Sequence, residues 1–495
     1  MKKVAIIGSG IAGLSAGILA QNNGFETEIY EMHYLPGGLC TSWQRKGYVF
    51  DGCIRYLYGS GEGRMCNSLM KKIGVIDGQQ FIHYEESNRV ETNAGKTVIF
   101  HCDLDKLKMH LLEISPEDEK QILALIRAAK SISCTSMPMV GPTNLSEYGL
   151  MAKAIFRILP VIIKYRKESL ASFAASFKSE ALKEAFNKYY GFADLGELPL
   201  FVLILDLAQH HMKNAGWPIG GSLALARKLE KKYLSLGGKI NYRTKVEKIL
   251  VDGEMVKGIR LADGRECLAD IVISACDVET VLNKLLEGKF NEPKYYTAFE
   301  KEKIITPIVQ ISLGIADDLS GIPHSLTFSL KEPITIEDIT YDYLNIRHYC
   351  YDQTMAPKGS SSLIVILETN YEKWARLSLD KERYSIAKQN AAEQVIDRLD
   401  QRFPGLAGKV EVIDAATPLT YVQYTGNYKG SPQGWQTTAG HLSNFPSKLA
   451  GLKNFYLAGQ WVRRGGGIPG GAASAYNVVK QICKEAVRKH TMENT

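Results

Sequence analysis

Gly8-Ser9-Gly10-Ile11-Ala12-Gly13 is the first stretch of the chain whose residue types and spacing could do chemistry, and that chemistry is the binding of a pyrophosphate. In such a triplet the first glycine permits a tight turn, the second lets the backbone approach the phosphates, and the third lets a helix pack close to a strand. The phosphates then lie on the helix N-terminus, where free N–H groups and the helix dipole favour anions. Glu31, at the end of the next strand-like run, would accept hydrogen bonds from the ribose hydroxyls of an adenosine. Its charge would repel a 2′-phosphate, which disfavours NADP. A glycine triplet alone is a weak signal; its weight here comes from the elements around it, which occur in the order the site needs.

Residues 4–7 form a short β-branched run of the kind found in a strand buried on both faces. Residues 11–21 are small or apolar, as a helix packed on a sheet requires. Gly24 ends that helix, and residues 27–30 read as the second strand, closing on Glu31. Met1-Lys2-Lys3 followed by apolar residues to Ala20 superficially resembles a secretory leader, but Gly8, Gly10, Gly13 and Gly17 sit where a nucleotide-binding turn needs them. Further along, two short strands between residues 90 and 101 flank Asn93-Ala94-Gly95, and Ser115-Pro116-Glu117-Asp118 is a helix start. Residues 116–209 are mostly helical in pattern. A second α/β segment follows over 222–285: a helix to Leu236, a stop at Gly237-Gly238, and strands near 239–242, 245–251, 258–261 and 271–275, with turns at Asp252-Gly253 and Asp263-Gly264.

At 495 residues the chain is too long for one compact core, so two or more interleaved domains are expected. Its 60 basic and 53 acidic residues leave a net charge of +7 with no long Lys/Arg block, which argues against a nucleic-acid partner. Nine cysteines (Cys40, Cys53, Cys66, Cys102, Cys134, Cys267, Cys276, Cys350, Cys483) include no C-x-x-C pair and no histidine at zinc-ligand spacing. Reduced thiols in a cytosolic compartment, no metal and no redox disulfide are therefore expected. No second strand-linked G-x-G-x-x-G is present, so no separate nicotinamide domain is expected. Gly59-Ser60-Gly61-Glu62-Gly63 has the wrong spacing for one and reads as a loop.

The block Pro36-Gly37-Gly38-Leu39-Cys40, continued by Gly47-Tyr48-Val49-Phe50-Asp51-Gly52, resembles the flavin-binding fingerprint of the phytoene desaturase, carotenoid isomerase and retinol saturase family, within the flavin amine oxidase superfamily. Near the other end, Asn454 to Gln460 followed by Gly465-Gly466-Gly467-Ile468-Pro469-Gly470-Gly471 resembles that family's C-terminal flavin motif. Between them, Gly216-Trp217-Pro218-Ile219-Gly220-Gly221-Ser222 and Lys245-Val246-Glu247-Lys248-Ile249 resemble its middle flavin segment. The resemblance implies FAD as cofactor. It places Gly8, Ser9, Gly10, Ile11, Ala12, Gly13 and Glu31 at the adenosine and pyrophosphate, with Gly37, Gly38 and Leu39 beside them. Val246 would meet the adenine, and Gly459, Gln460, Ile468, Pro469 and Gly470 the ribityl or isoalloxazine end. Two departures stand out: Leu39 replaces a basic residue found in many relatives, and Gln460 stands where the amine oxidases are often acidic.

The implied architecture is an α/β fold, a discontinuous Rossmann-like FAD-binding domain (1–85, 215–289 and 445–495) carrying an inserted α+β substrate domain (86–214 and 290–444). The implied function is FAD-dependent desaturation, saturation or isomerisation of an apolar polyene or related lipid. An amine oxidase would need an aromatic cage, for which Tyr421, Tyr424, Tyr428 and Trp435 are candidates; a lipid-binding chaperone on the same fold would not need an intact Gly8–Glu31 unit. No catalytic residue is assignable, although Arg55, Tyr56, His83, Arg463 and Arg464 lie in or near matched motifs. Residues 148–167 lack acidic groups and carry an apolar face of Leu150, Met151, Ala154, Ile155, Ile158, Leu159, Ile162 and Ile163, opposed by Lys153, Arg157, Lys164 and Lys167, with Pro160 as a kink. Too short and too charged to span a bilayer, this segment is either a peripheral membrane contact or a core helix beside the substrate cavity.

Overall fold

A computed structural model describes the whole chain except residues 65, 134–144, 193, 291, 442 and 494–495. Cys134 and the side chain of Leu150, both singled out above, lie outside what is described. The chain opens with the strand Lys3–Ile7, the helix Ile11–Gln21 and the strand Glu26–Tyr30. Val4 and Ile6 are fully buried, as are Leu14, Ala16 and Ile18 of the helix, because each element is sandwiched rather than laid on a surface.

The sheet built on this unit has five parallel strands in the order Lys239–Asn241, Glu26–Tyr30, Lys3–Ile7, Ile271–Ser274, Phe455–Leu457. Its strands thus come from the beginning, the middle and the end of the chain. Two helices close one side, Gly221–Ser235 and Gly467–Glu493, both against the first helix. Tyr233 fixes the first of them: its hydroxyl lies 2.8 Å from Thr27 Oγ1 and donates to the carbonyl of Thr27 at 2.9 Å. Its ring fills the space beside Gly17, where a Cβ would come within 2.6 Å of it. Gly17 therefore serves helix packing and not the nucleotide-binding turn that its spacing suggested.

The second body is a seven-stranded sheet, in the order Val410–Ala416, Ile308–Ile315, Ser361–Glu368, Ile339–His348, Ser325–Ile336, Glu86–Glu91, Thr97–His101. Every neighbouring pair is antiparallel except Ser325–Ile336 with Glu86–Glu91. The hairpin around Asn93-Ala94-Gly95 is therefore the edge of a sheet whose other strands lie more than 200 residues further on. Between Leu104 and His211 the described residues are mostly helical, and these helices share an apolar core with Val90, Val98 and Phe100 of that edge. In the helix Leu145–Tyr165, Ile158, Val161 and Tyr165 are buried in this core, and Ala154 is buried too. Ile155, Phe156, Leu159 and Ile163 face outward, with Phe156 82% exposed. The apolar face expected of this segment is thus divided between core and surface. No helix of the described residues is long and apolar enough to cross a membrane.

Three shorter strands, Leu57–Tyr58, Ala215–Pro218 and Phe81–Ile82, pair antiparallel between the two bodies, and a hairpin of Ser42–Arg45 with Tyr48–Asp51 lies nearby. Both were missed in the sequence because each is only two to four residues long, shorter than any usable alternation of apolar and polar positions.

Candidate functional site

Each glycine of the triplet meets a different constraint. Gly8 has φ +94°, a conformation open to glycine. At Gly13 a Cβ would lie 1.9 Å from the Gly8 carbonyl oxygen, so the helix packs on the turn only without a side chain. At Gly10 the nearest atom to a Cβ would be the Gly37 carbonyl at 3.8 Å, and φ is −64°. Nothing in the protein forbids a side chain at Gly10. The space it leaves open suits the close approach of a pyrophosphate to the backbone, which is the fit FAD requires.

Glu31 is almost fully buried and holds the turn from the side. Its Oε2 accepts from Ser9 N at 2.7 Å and from Ser9 Oγ at 2.8 Å, and its Oε1 accepts from His33 N at 2.8 Å. The Thr244 N–H donates to the Glu31 carbonyl at 2.7 Å, which sets the strand Val246–Asp252, and with it Val246, beside the end of the second strand. Pro36–Cys40 folds over the turn: Gly37 N donates to the Ser9 carbonyl at 2.9 Å, and a Cβ on Gly38 would lie 3.3 Å from Gly10 Cα. Leu39 instead packs beside Ile308, Ala416 and Tyr421, so this departure from a basic residue is an apolar contact with the inserted sheet.

From the C-terminal side, Gly459 has φ +119° and its N–H donates to Ser474 Oγ at 3.0 Å, with Gln460 half-buried next to it. Ile468 shares an apolar cluster with Ile11 and Ala12, and Gly471 lies against Ala12. The first turn of the C-terminal helix therefore sits on the first turn of the N-terminal one. A Cβ at Gly470 would meet no atom within 4 Å, and Pro469 is half-buried beside it. The candidate residues from positions 8–39 and 459–470 are thus brought to one end of the parallel sheet, some 400 residues apart in the chain.

A buried carboxylate joins the remaining motifs. Asp51 accepts four hydrogen bonds: from Ser222 N (2.6 Å), Ser222 Oγ (2.7 Å), Cys53 N (2.9 Å) and Ile54 N (3.0 Å). Burial outweighs these donors and raises its pKa above the ordinary carboxylate value. A Cβ on Gly221 would lie 2.5 Å from Asp51 Oδ2.

Beyond Asp51 the chain enters a cavity between the two bodies that sequence reading did not find. Arg55 and Arg347 face it, with Tyr56, Tyr84, Tyr349 and Tyr351 among its walls. Its free space is about 30 Å³, room for about two waters. Arg55 Nη1 donates to the Tyr190 carbonyl at 2.9 Å, and its guanidinium carbon lies 4.8 Å from the centre of the Phe192 ring. Burial, and after it the charge of Arg347, push Arg55 down to about 9. His324 stacks on Tyr84 at 4.0 Å, and burial first, then its basic neighbours, push its pKa down to about 3. The one available signal was the two-residue spacing of Arg347, Tyr349 and Tyr351 after the mixed polar and apolar strand residues 340–346.

The other candidates separate. Arg464 is a structural cation: it ion-pairs with Glu302, donates to the carbonyls of Gln436 and Ser443, and lies over Phe445. Arg463 is half-buried, and His83 lies beside Gly216 with Nδ1 unpartnered. Tyr56 shares the cavity with Arg55. Of the four aromatics proposed for an amine cage, Tyr421 is buried beside Gln310, Tyr424 is exposed against His33, Tyr428 meets Trp461 edge-on, and Trp435 is in the core with Phe445. No two of the four are in ring contact with each other.

A family model described as flavin containing amine oxidoreductase matches residues 11–483. A prolycopene isomerase of Daucus carota chloroplasts is 24% identical, over 94% of this chain and 77% of its own length. A lycopene-forming phytoene desaturase from Pseudescherichia vulneris is 24% identical, over 96% of this chain and 98% of its own. Among solved structures, an oxidoreductase from Methanosarcina mazei has the same fold, with a TM-score of 0.61 at 18% identity over 97% of this chain and 100% of that one.

The glycine geometry separates ligand binding from folding. Gly10→Val will melt close to wild type without flavin yet retain little FAD, whereas Gly13→Ala will lose about 1–3 kcal/mol of flavin-free stability. Thermal unfolding of both apoproteins checks this, and equal melting temperatures would refute the division of roles. Glu31→Ala will weaken FAD binding by about 1–3 kcal/mol through lost hydrogen bonds to a charged acceptor. The measurement is flavin retention on gel filtration, together with a lowered melting temperature that added FAD restores.

Proposed function

The chain belongs to the flavin containing amine oxidoreductase family and is a flavin oxidoreductase with FAD as its cofactor, and from that premise we propose that it desaturates, saturates or isomerises carbon–carbon bonds of an apolar polyene or related lipid. The observation that carries this reading is similarity along nearly the whole chain to a prolycopene isomerase and a phytoene desaturase. In this reading residues 1–85, 215–289 and 445–495 form the FAD unit, and 86–214 with 290–444 the substrate unit. Gly8, Gly10 and Gly13 with Ser9, Ile11 and Ala12 would hold the pyrophosphate, Glu31 the ribose, and Val246 the adenine. Gly37, Gly38 and Leu39 would cover that end. Gly459, Gln460, Ile468, Pro469 and Gly470 would lie along the rest of the cofactor.

FAD supplies the capacity to accept or return a hydride. The protein's part is positioning and exclusion of water. Gly10 leaves the backbone bare for the phosphates, Ser9 is locked by Glu31, and Asp51 holds the 220–222 turn against the segment that leads to the cavity. A reaction at an apolar carbon needs little acid/base help, in keeping with the histidines nearest the cavity, His324 and His210, being held neutral by burial.

The outer face of the Leu145–Tyr165 helix is, in the same reading, a peripheral membrane contact through which a lipid enters. Ile155, Phe156, Leu159 and Ile163 form an exposed apolar ridge, with exposed Lys153, Arg157 and Lys164 around it. Their charge suits an anionic lipid surface, each cation contributing about 1 kcal/mol.

Two measurements test these readings. Anaerobic incubation of the yellow holoenzyme with cis-polyenes will change the polyene spectrum, with or without bleaching of the flavin. Hydrogen peroxide release from simple amines, with the polyenes untouched, would refute it. In flotation assays the protein will bind anionic liposomes in a salt-sensitive way. Reversing Lys153, Arg157 and Lys164 to Glu will abolish most of that binding while flavin content stays unchanged; survival of binding would place the contact elsewhere.

A further inference from the structure

Arg55 and Arg347 are two guanidinium groups facing one small cavity deep in the molecule, and no Asp or Glu among the described residues ion-pairs with either. Both are only partly covered, and the surface they keep free is internal. Two like charges at one buried site are costly unless a counter-charge joins them. The acid nearest at hand, Asp206, is engaged elsewhere: it accepts from Tyr58 OH at 2.6 Å and from Tyr189 OH at 2.8 Å. Tyr190, also in the wall, has a buried hydroxyl with no hydrogen-bond partner.

We propose that this cavity takes a carboxylate of the substrate, held between Arg55 and Arg347. The ligand is then not a pure hydrocarbon but an apolar molecule ending in a carboxylic acid. Charge counting favours a monoanion: two guanidiniums and the Asp206 carboxylate sum to one positive charge, with His324 neutral. The space fits a carboxylate better than a chain, and the planar fork of each guanidinium matches carboxylate geometry. Its place agrees. Ile54 and Tyr349, both in the cavity wall, belong to the apolar cluster that contains Ile11, Ala12 and Ile468 of the glycine turns. An acid group anchored here would fix how far the rest of the molecule reaches along the flavin unit.

The proposal rests on the reading of the chain as a flavin enzyme acting on an apolar substrate, and the experiment separates the two. Wild-type holoenzyme is titrated with benzoate and, in parallel, with benzamide, by calorimetry and by perturbation of the flavin spectrum. Benzoate should bind saturably and at least about tenfold more tightly than benzamide. Arg55→Gln and Arg347→Gln should each weaken benzoate by about 10- to 100-fold at unchanged flavin content, with Arg347→Lys in between because it keeps the charge and loses the fork. If the Gln variants lose flavin or fail to fold, the wild-type pair of ligands and Arg347→Lys decide the matter. A second arm compares retinoate with retinol, which share the apolar part and differ in the acid; retinoate should bind more tightly. Equal binding of benzoate and benzamide, no binding of benzoate, or full benzoate affinity in the variants overturns the carboxylate site. Benzoate binding with no change in any polyene, acid or neutral, leaves the site standing and counts against the polyene reading alone.

Discussion

The Asp51 carboxylate is the point at which the separate passages of the chain are fastened together. It lies at the end of the Tyr48–Asp51 strand, grips the backbone and hydroxyl of Ser222, and caps the N–H groups of Cys53 and Ile54. Its own carbonyl accepts from Gln310 Nε2 at 3.0 Å, and Gln310 Oε1 accepts from Tyr421 OH. One residue therefore links the hairpin, the start of the Gly221–Ser235 helix, the entry to the Arg55 cavity and the inserted sheet. Each donor left without it would cost about 1–3 kcal/mol, so replacing it by an apolar group offers no easy compensation. Burial raises its pKa while four donors stabilise the charged form, and the persistence of an acid there reflects how completely those donors surround it.

The fastening matters because the parallel sheet cannot be completed locally. The Lys3–Ile7 strand pairs with Glu26–Tyr30 from its own βαβ unit, but its other neighbour, Ile271–Ser274, arrives after a long excursion, and Phe455–Leu457 after a second. Between visits the chain builds a different sheet, whose Glu86–Glu91 edge belongs to the first excursion and whose remaining strands belong to the second. Each body thus needs the other's segments to return to register. Contacts such as Tyr233 with Thr27, and Asp51 with Ser222, make that return specific.

This arrangement also explains what was legible in the residues alone. The Gly8–Glu31 unit could be read because its parts are adjacent in sequence and each has one dominant physical reason. The structure shows the tight turn at Gly8 and the close helix packing at Gly13, and leaves the space beside Gly10 open. The strands at 246–252, 255–261 and 271–274 and the helix at 221–235 were likewise visible from turns and apolar runs. Gly17 was misread because its constraint, the Tyr233 ring, comes from more than 200 residues away. The Arg55–Arg347 cavity was invisible for the same reason. Its residues lie on several loops, one helix and three strands that only the assembled topology brings together, and no spacing rule connects position 55 to position 347.

A polar cavity in a protein related to enzymes with hydrocarbon names is a physical contradiction only if the whole substrate is taken to be apolar. An entirely apolar ligand would leave two desolvated guanidiniums with only the Asp206 carboxylate to offset them, and the pKa of Arg55 is lowered first by that burial and then by the charge of Arg347. Small voids lined with leucine and isoleucine would have served such a ligand at no such cost. The sheet that carries Arg347 shows the alternative was open to it: Leu344 and Ile346 on the same strand are fully buried in an apolar core. A second cation sharing this cavity with Arg55 is accounted for if something negative binds between them, and such a site would tell one end of a long molecule from the other.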